Sequence, residues 1–386
     1  MMQKYIAKRF QVRSEGLSLD TAALARYDDV IDLSIGDTDF HTDRRIIDAA
    51  YADACKGYTH YGDPKGDPEL IEAICQAWKE DFQQDITPAE VLVTTSSCMG
   101  MSQALLSILN PGDEVLVFGP YFADYNNQIE LAGGKTVEVV TREEELYHPQ
   151  EADVRAAITP RTRAMIVNTP SNPTGAAYDR ETLTMLARLA TEYDLLVLAD
   201  EIYTRYLYDG EFIPMRTLPG MKDRTVTLNS FSKNFLMTGW RVGYIVAHPE
   251  LIAVFQHVNE GLTYVAPSIS QRAALKALSL RNEIAEEYIT KYRDRVYYVA
   301  DRIEQMPYLS ILRPRGTFYA FPGIAKTGME DGTFCNFLLE KAHLLVAPGH
   351  VFGRAGEKHF RIACTVSDAK LAEAMDRLEA LGKYFA

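Results

Sequence analysis

The sequence predicts an α/β protein, with a large domain on a mainly parallel central sheet over residues 45–285 and a smaller α+β domain formed by residues 1–44 and 286–386. Three observations carry this. Short runs rich in Val, Ile and Leu alternate with helical patterns from about residue 45 to about residue 280, which is the order that builds a parallel sheet. The runs are continuously apolar rather than alternating, as in strands covered on both faces. The last hundred residues then change to charged helices and short strands, and a chain of 386 residues is too long for one simple core.

Taken in order, the predicted strands are "EVLVTT", "DEVLVFGP", "RAMIVNTP", "LLVLAD", "TVTLNS" and "GYIVAH". Between them, "YDRETLTMLARLATEY" has an acidic start and leucines at helical spacing. The carboxyl-terminal part reads as a helix ("NEIAEEYITKYRDRVYYVADRIEQM"), two short strands ("GTFYAFP", "FRIACT") and a final helix ("SDAKLAEAMDRLEALGKY"). The first forty or so residues hold no strand series of their own and are expected to cross over to this smaller domain. No internal repeat or low-complexity segment interrupts the pattern.

Composition narrows the function. Hydrophobic residues make up 47% and charged residues 24%, the balance of a globular protein. No apolar run reaches the roughly 20 residues that cross a bilayer. A net charge of -13 without a basic block argues against a nucleic-acid partner. Five scattered cysteines without a CxxC pair argue for a reducing cytoplasm and against a disulfide framework or zinc knuckle. The basic start "MMQKYIAKRFQVRSEG" lacks an apolar core, so no signal peptide is expected. GxGxxG, GxxxxGK[ST] and HExxH are all missing, and no metal site is expected.

In open parallel sheets, ligands bind beyond the carboxyl ends of the strands. Those ends deliver Ser97 and Cys98 at a helix start, Phe122, Asn172, Asp200 with Tyr203, and Ser230 with Lys233. Each has an ordinary structural explanation. Asp200 could cap a helix, Asn172 before Pro173 could be a turn residue, Phe122 and Tyr203 could be packing groups, and Lys233 and Arg241 surface charges.

Their joint order, "NPTG", then "ADEIY", then "SFSKNFLMTGWRVGY", resembles the class I/II aminotransferases, the aspartate-aminotransferase-like members of the fold-type-I pyridoxal-phosphate enzymes. The resemblance extends over nearly the whole chain, through "LSIGDTDF", "YTHYGDPKGDPEL", "GTFYAFP", "VAPGHVFG" and "FRIACT". It implies pyridoxal 5'-phosphate as cofactor, held by Lys233 as a Schiff base, with Lys233 then carrying a proton as general acid/base. By the same resemblance Asp200 pairs with the ring nitrogen, Tyr203 and Asn172 with the ring hydroxyl, and Phe122 stacks on the ring. Ser97, Cys98, Ser230 and Arg241 hold the phosphate, joined by Tyr61 from a neighbouring subunit. Arg361 grips the substrate carboxylate, helped by Asn172 and a close approach at Gly36. The expected enzyme is therefore a cytoplasmic homodimer with shared active sites that moves the amino group of an L-amino acid to a 2-oxo acid.

Some positions depart from the family pattern. Ser96 stands where relatives commonly have glycine, Cys98 where an aspartate-using subgroup has lysine, and Thr38 where proline is usual. Tyr58, Met99, Phe122 and Tyr125 lend the expected pocket an apolar or aromatic character, which hints at an uncharged substrate side chain. Two other functions remain compatible with the scaffold. A carbon-sulfur β-lyase would use the same lysine, aspartate and arginine. A cofactor-binding transcriptional sensor would need an added basic helix-turn-helix module, for which the first forty residues are too few.

Overall fold

The computed structural model describes residues 3–7 and 27–385. The crossover expected of the first forty-four residues falls, for residues 8–26, outside the described residues. From residue 27 on, β1 (Ile31–Asp32) pairs in parallel with β10 (Leu344–Leu345).

The centre of the molecule is a seven-stranded sheet. Its strands are β2 (Val91–Thr94), β3 (Glu114–Gly119), β4 (Lys135–Val140), β5 (Thr162–Asn168), β6 (Leu196–Asp200), β7 (Thr225–Ser230) and β8 (Gly243–Val246), in the spatial order β2-β8-β7-β6-β5-β3-β4. Only β8 runs against its neighbours, and the other pairings are parallel. The predicted α/β class with a mainly parallel sheet is the observed one.

The continuous apolar runs have the cause inferred for them. In β3, Val115 and Val117 face one helical layer while Leu116 and Phe118 face the other, and β5 divides Ala164 and Ile166 from Met165 and Val167 in the same way. Each such Val, Leu or Ile, withdrawn from water on its own side, contributes roughly 1.5–3 kcal/mol. The first layer includes the helices Ser96–Ile108, Asp124–Leu131 and Pro249–Leu262. The second includes Arg180–Glu192, whose start is capped by Asp179 accepting from the Thr182 amide at 2.8 Å.

β4 escaped the sequence reading. It is an edge strand, mostly half-buried, and Lys135 and Glu138 break its apolar pattern. The reversed direction of β8 was equally invisible, since a strand's local sequence does not encode its polarity in the sheet.

A second, antiparallel sheet orders β11 (Ala347–Pro348), β12 (Phe360–Ala363) and β9 (Tyr319–Ala320) as β11-β12-β9. It packs with the helices Thr290–Glu304, Asp331–Ala342 and Asp368–Glu379 around Phe318, Phe334 and Phe360. The long charged helix expected from residue 282 is present, with a π-helical turn over Ala285–Ile289. Among the described residues no helix is long and apolar enough to cross a membrane.

Candidate active site

Register places the chemistry. β5, β6 and β7 are adjacent and parallel, with Asn168 opposite Asp200 and Asp200 opposite Leu228. Their carboxyl ends therefore open on one side, where Asp200 ends β6 and Asn172 and Lys233 come shortly after β5 and β7. The start of helix Ser96–Ile108 reaches the same edge because Gly243 on β8 lacks a side chain. A Cβ there would lie 2.7 Å from the Ser97 amide nitrogen and 2.8 Å from the Asn229 carbonyl.

The cavity at this edge measures about 280 Å³. Gly36, Ser97, Cys98, Phe122, Asn172, Asp200, Tyr203, Ser230, Lys233, Arg241 and Arg361 all line it. Tyr61 does not; it is 87% exposed and meets Tyr264 edge-on, with ring centroids 5.3 Å apart. Of the four residues expected to give the pocket its apolar character, Phe122 and Tyr125 line it, whereas Tyr58 and Met99 do not. Tyr58 instead packs under the Arg272 guanidinium, 4.3 Å from its ring centroid.

Four charged side chains line the cavity: Asp200, Lys233, Arg241 and Arg361. Asp200 is buried, and its Oδ2 accepts from the Tyr125 hydroxyl at 2.5 Å while its Oδ1 has no partner. Burial pushes its carboxyl up to about 6, against the hydrogen bond from Tyr125. Lys233 is half-buried, its Nζ donates to the Gly36 carbonyl at 2.6 Å, and burial draws the amine below its ordinary value, which favours the neutral nucleophile. Arg361 is 2% exposed, with its guanidinium carbon 4.4 Å from the ring centroid of Tyr319 and 4.9 Å from that of Phe352. Its Nη1 donates to Asn172 Oδ1 at 2.9 Å and its Nη2 to the Ser34 carbonyl at 2.5 Å, leaving Nε without a partner.

Arg361 and Arg241 pair with no carboxylate among the described residues. A buried cation without a counter-ion is costly unless an anion comes to it, and an unpartnered buried carboxylate oxygen calls for a donor. The cavity thus fits a ligand that is anionic at two places and carries a donor facing Asp200.

Around these groups the remaining side chains are braced. Ser230 Oγ accepts from the Ser232 amide at 3.0 Å and donates to Ser232 Oγ at 2.9 Å. Arg241, in the left-handed region at φ 52, donates to the Thr238 carbonyl at 2.7 Å. Cys98 Sγ accepts from Gln128 Nε2 at 3.2 Å, and burial, the largest influence, keeps the thiol above its ordinary value. Tyr203 sits 1% exposed with its hydroxyl 3.5 Å from that of Tyr319. A Cβ on Gly36 would lie 1.7 Å from the Tyr319 hydroxyl, so glycine is required for the loop to lie there. Ser96, at the position where the family favours glycine, has φ 75, a conformation glycine adopts more readily.

Sequence reasoning missed Asn168 and Tyr319. Asn168 Nδ2 donates to the Asp200 carbonyl at 3.0 Å and its Oδ1 accepts from the Asn172 amide at 3.0 Å, tying two strand ends together. Its signal was available, since a lone amide ends the apolar run "AMIVN". Tyr319 carried none, because its place depends on how the small sheet packs.

An amine and a carboxylate at the strand ends of a doubly covered sheet, facing a guanidinium from the small antiparallel sheet across one cavity, make a site for a small anionic ligand. The chain belongs to the aminotransferase class I and II family, whose family description matches residues 28–378, and it is an aminotransferase. It is 37% identical over 358 residues to an aspartate aminotransferase of Pyrococcus horikoshii, covering 92% of this chain and 91% of that one. It is 38% identical over 360 residues to aromatic-amino-acid aminotransferase 2 of Thermococcus litoralis, covering 91% of each. The structure of the Thermus thermophilus aspartate aminotransferase with maleate superposes with a TM-score of 0.90 at 34% identity, over 97% of this chain and 99% of that one.

Proposed function

We propose that this aminotransferase uses pyridoxal 5'-phosphate, anchored at Lys233, to move the amino group of an L-amino acid with an uncharged side chain to a 2-oxo acid. The observation that carries the reading is the pair of unpartnered buried atoms, Asp200 Oδ1 and Arg361 Nε, on residues that line one cavity with the Lys233 amine. When bound, the cofactor supplies an aldehyde that forms a Schiff base with an amine and a pyridinium ring that draws electron density from the substrate's α-carbon.

The protein's own groups do the rest. Asp200 Oδ1 would accept from the ring nitrogen and keep it protonated. Lys233 Nζ would be the amine that anchors the cofactor, and as general acid/base it would move a proton at the substrate's α-carbon. Tyr203 and Asn172 would donate to the ring hydroxyl, and Phe122 would stack on the ring. The amides of Ser97 and Cys98 at the start of a thirteen-residue helix, with Ser230 and Arg241, would hold the phosphate. Arg361 takes the substrate α-carboxylate, and Gly36 leaves room beside it.

The uncharged side chain is supported by the cations of the cavity. Lys233, Arg241 and Arg361 are its cationic side chains among the described residues, and each already has a task. The relatives' names include both aspartate and aromatic amino acids. A homodimer is supported by Tyr61, Tyr264 and Ile269, large apolar residues exposed on one monomer, with Tyr61 reaching the neighbouring cofactor's phosphate. Five free cysteines support a cytoplasmic location. In this reading residues 45–285 form the cofactor-holding domain, and residues 1–44 with 286–386 the smaller one.

The test is spectroscopic and chemical. Protein loaded with pyridoxal phosphate is expected to show the visible band of a lysine-bound aldehyde, lost in Lys233→Ala. Phenylalanine should convert it to the pyridoxamine form faster than aspartate does. A wild type without the band sinks the cofactor reading, and pyruvate and ammonia released without an oxo acid would make it a β-lyase instead.

A further inference from the structure

Tyr125 has no part in the chemistry above, yet it holds the group on which that chemistry depends. It lies near the start of helix Asp124–Leu131, after β3, and is 2% exposed. β3 is not a neighbour of β6 in the sheet; β5 lies between them. The Tyr125 side chain nonetheless spans that gap, and its hydroxyl donates to Asp200 Oδ2 at 2.5 Å. Oδ1 is left unpartnered in the cavity.

The consequence is geometric. A carboxylate on a single rotatable side chain can present either oxygen, and a buried one is readily neutralised. The phenol occupies Oδ2, so Oδ1 is the oxygen that remains for a ligand. As a donor it also favours the ionised carboxylate. The other titratable groups that act on Asp200 offer no such help. Cys98, Tyr203 and Glu201 interact with it only through space, and each would oppose its charge if ionised. The same ring meets Phe122 edge-on, with centroids 5.5 Å apart and planes at 82°, so one residue braces both the stacking ring and the carboxylate.

We propose that Tyr125 is a positioning residue that holds Asp200 by one oxygen and aims the other at the cofactor's ring nitrogen. This rests on the cofactor reading given above. The informative variant is Tyr125→Phe, which keeps the ring against Phe122 and removes only the hydroxyl.

Two measurements test it. In cofactor-free full-length protein with ¹³C-labelled aspartate carboxyls, the Asp200 signal is identified by its loss in Asp200→Asn, and its titration midpoint is expected to move upward in Tyr125→Phe. The dissociation constant for pyridoxal phosphate, measured by equilibrium dialysis, is expected to rise roughly ten- to hundred-fold, the scale of a hydrogen bond to a charged group. That rise should vanish when the hydroxyl is removed from an Asp200→Ala background. An unchanged midpoint and affinity in protein that binds the cofactor would overturn the Tyr125 assignment alone, as would an equal loss in the Asp200→Ala background. A wild type that fails to bind pyridoxal phosphate would overturn the cofactor reading and this inference with it.

Discussion

Glu201 follows the site aspartate at the end of β6 and should make the protein's stability fall as pH rises. Its side chain is 2% exposed, Oε1 accepts from the Met215 amide at 2.8 Å, and Oε2 has no partner. The nearby Arg216 is engaged with Glu90 at 2.7 Å. Burial is the largest influence, partly offset by the Met215 bond and by Arg216, and it pushes the carboxyl from 4.5 to about 8. The folded state thus holds the proton more tightly than the unfolded chain. The sign follows: this contribution is fully present below pH about 4.5 and is lost as pH rises through about 8.

The difference between those two values, at about 1.4 kcal/mol per pH unit, amounts to on the order of 5 kcal/mol in total, of which about 3 kcal/mol is gone by pH 7. Glu201→Gln keeps the shape and the acceptor for Met215 but cannot ionise. Urea unfolding of both proteins between pH 5 and 9 should give a stability difference in favour of the glutamine variant that widens by roughly 1.4 kcal/mol per unit up to about pH 8 and then levels. A difference that stays flat over that range would refute the burial argument.

Arg361→Ala removes the buried guanidinium that faces the cavity and should weaken amino-acid binding by about 2 to 5 kcal/mol, read from the substrate dependence of the half-reaction; unchanged affinity would move carboxylate binding elsewhere. Gly243→Ala would drive a methyl group against the backbone of Ser97 and Asn229, with an expected loss of about 1 to 3 kcal/mol of stability. Cofactor affinity should drop with it, since the same backbone opens the phosphate-facing helix, and a thermal melt and dialysis that both match the wild type would contradict this packing.

Much of the site was legible because it lies at the ends of apolar runs. Asn172, Asp200, Ser230 and Lys233 each follow a strand that is continuous in sequence, and parallel strands bring such ends to one side. Arg361 and Gly36 were legible only through motif order, as nothing local ties them to those strands. The hydrogen bond from Arg361 to Asn172 joins residues 189 positions apart, and that from Lys233 to Gly36 joins residues 197 apart.

By itself the sequence determined the α/β class, six of the seven strands of the central sheet, the helix starts and the order of the reactive side chains. These depend on hydrophobic periodicity, capping and residue identity, which act over a few positions. The tertiary structure alone decided the strand order, the reversal of β8, the edge strand β4 and the cross-sheet bond from Tyr125 to Asp200. It also decided which buried groups were left without partners. Those outcomes arise from packing between segments far apart in the chain, where the partner of a group is set by the whole fold rather than by its neighbours in sequence.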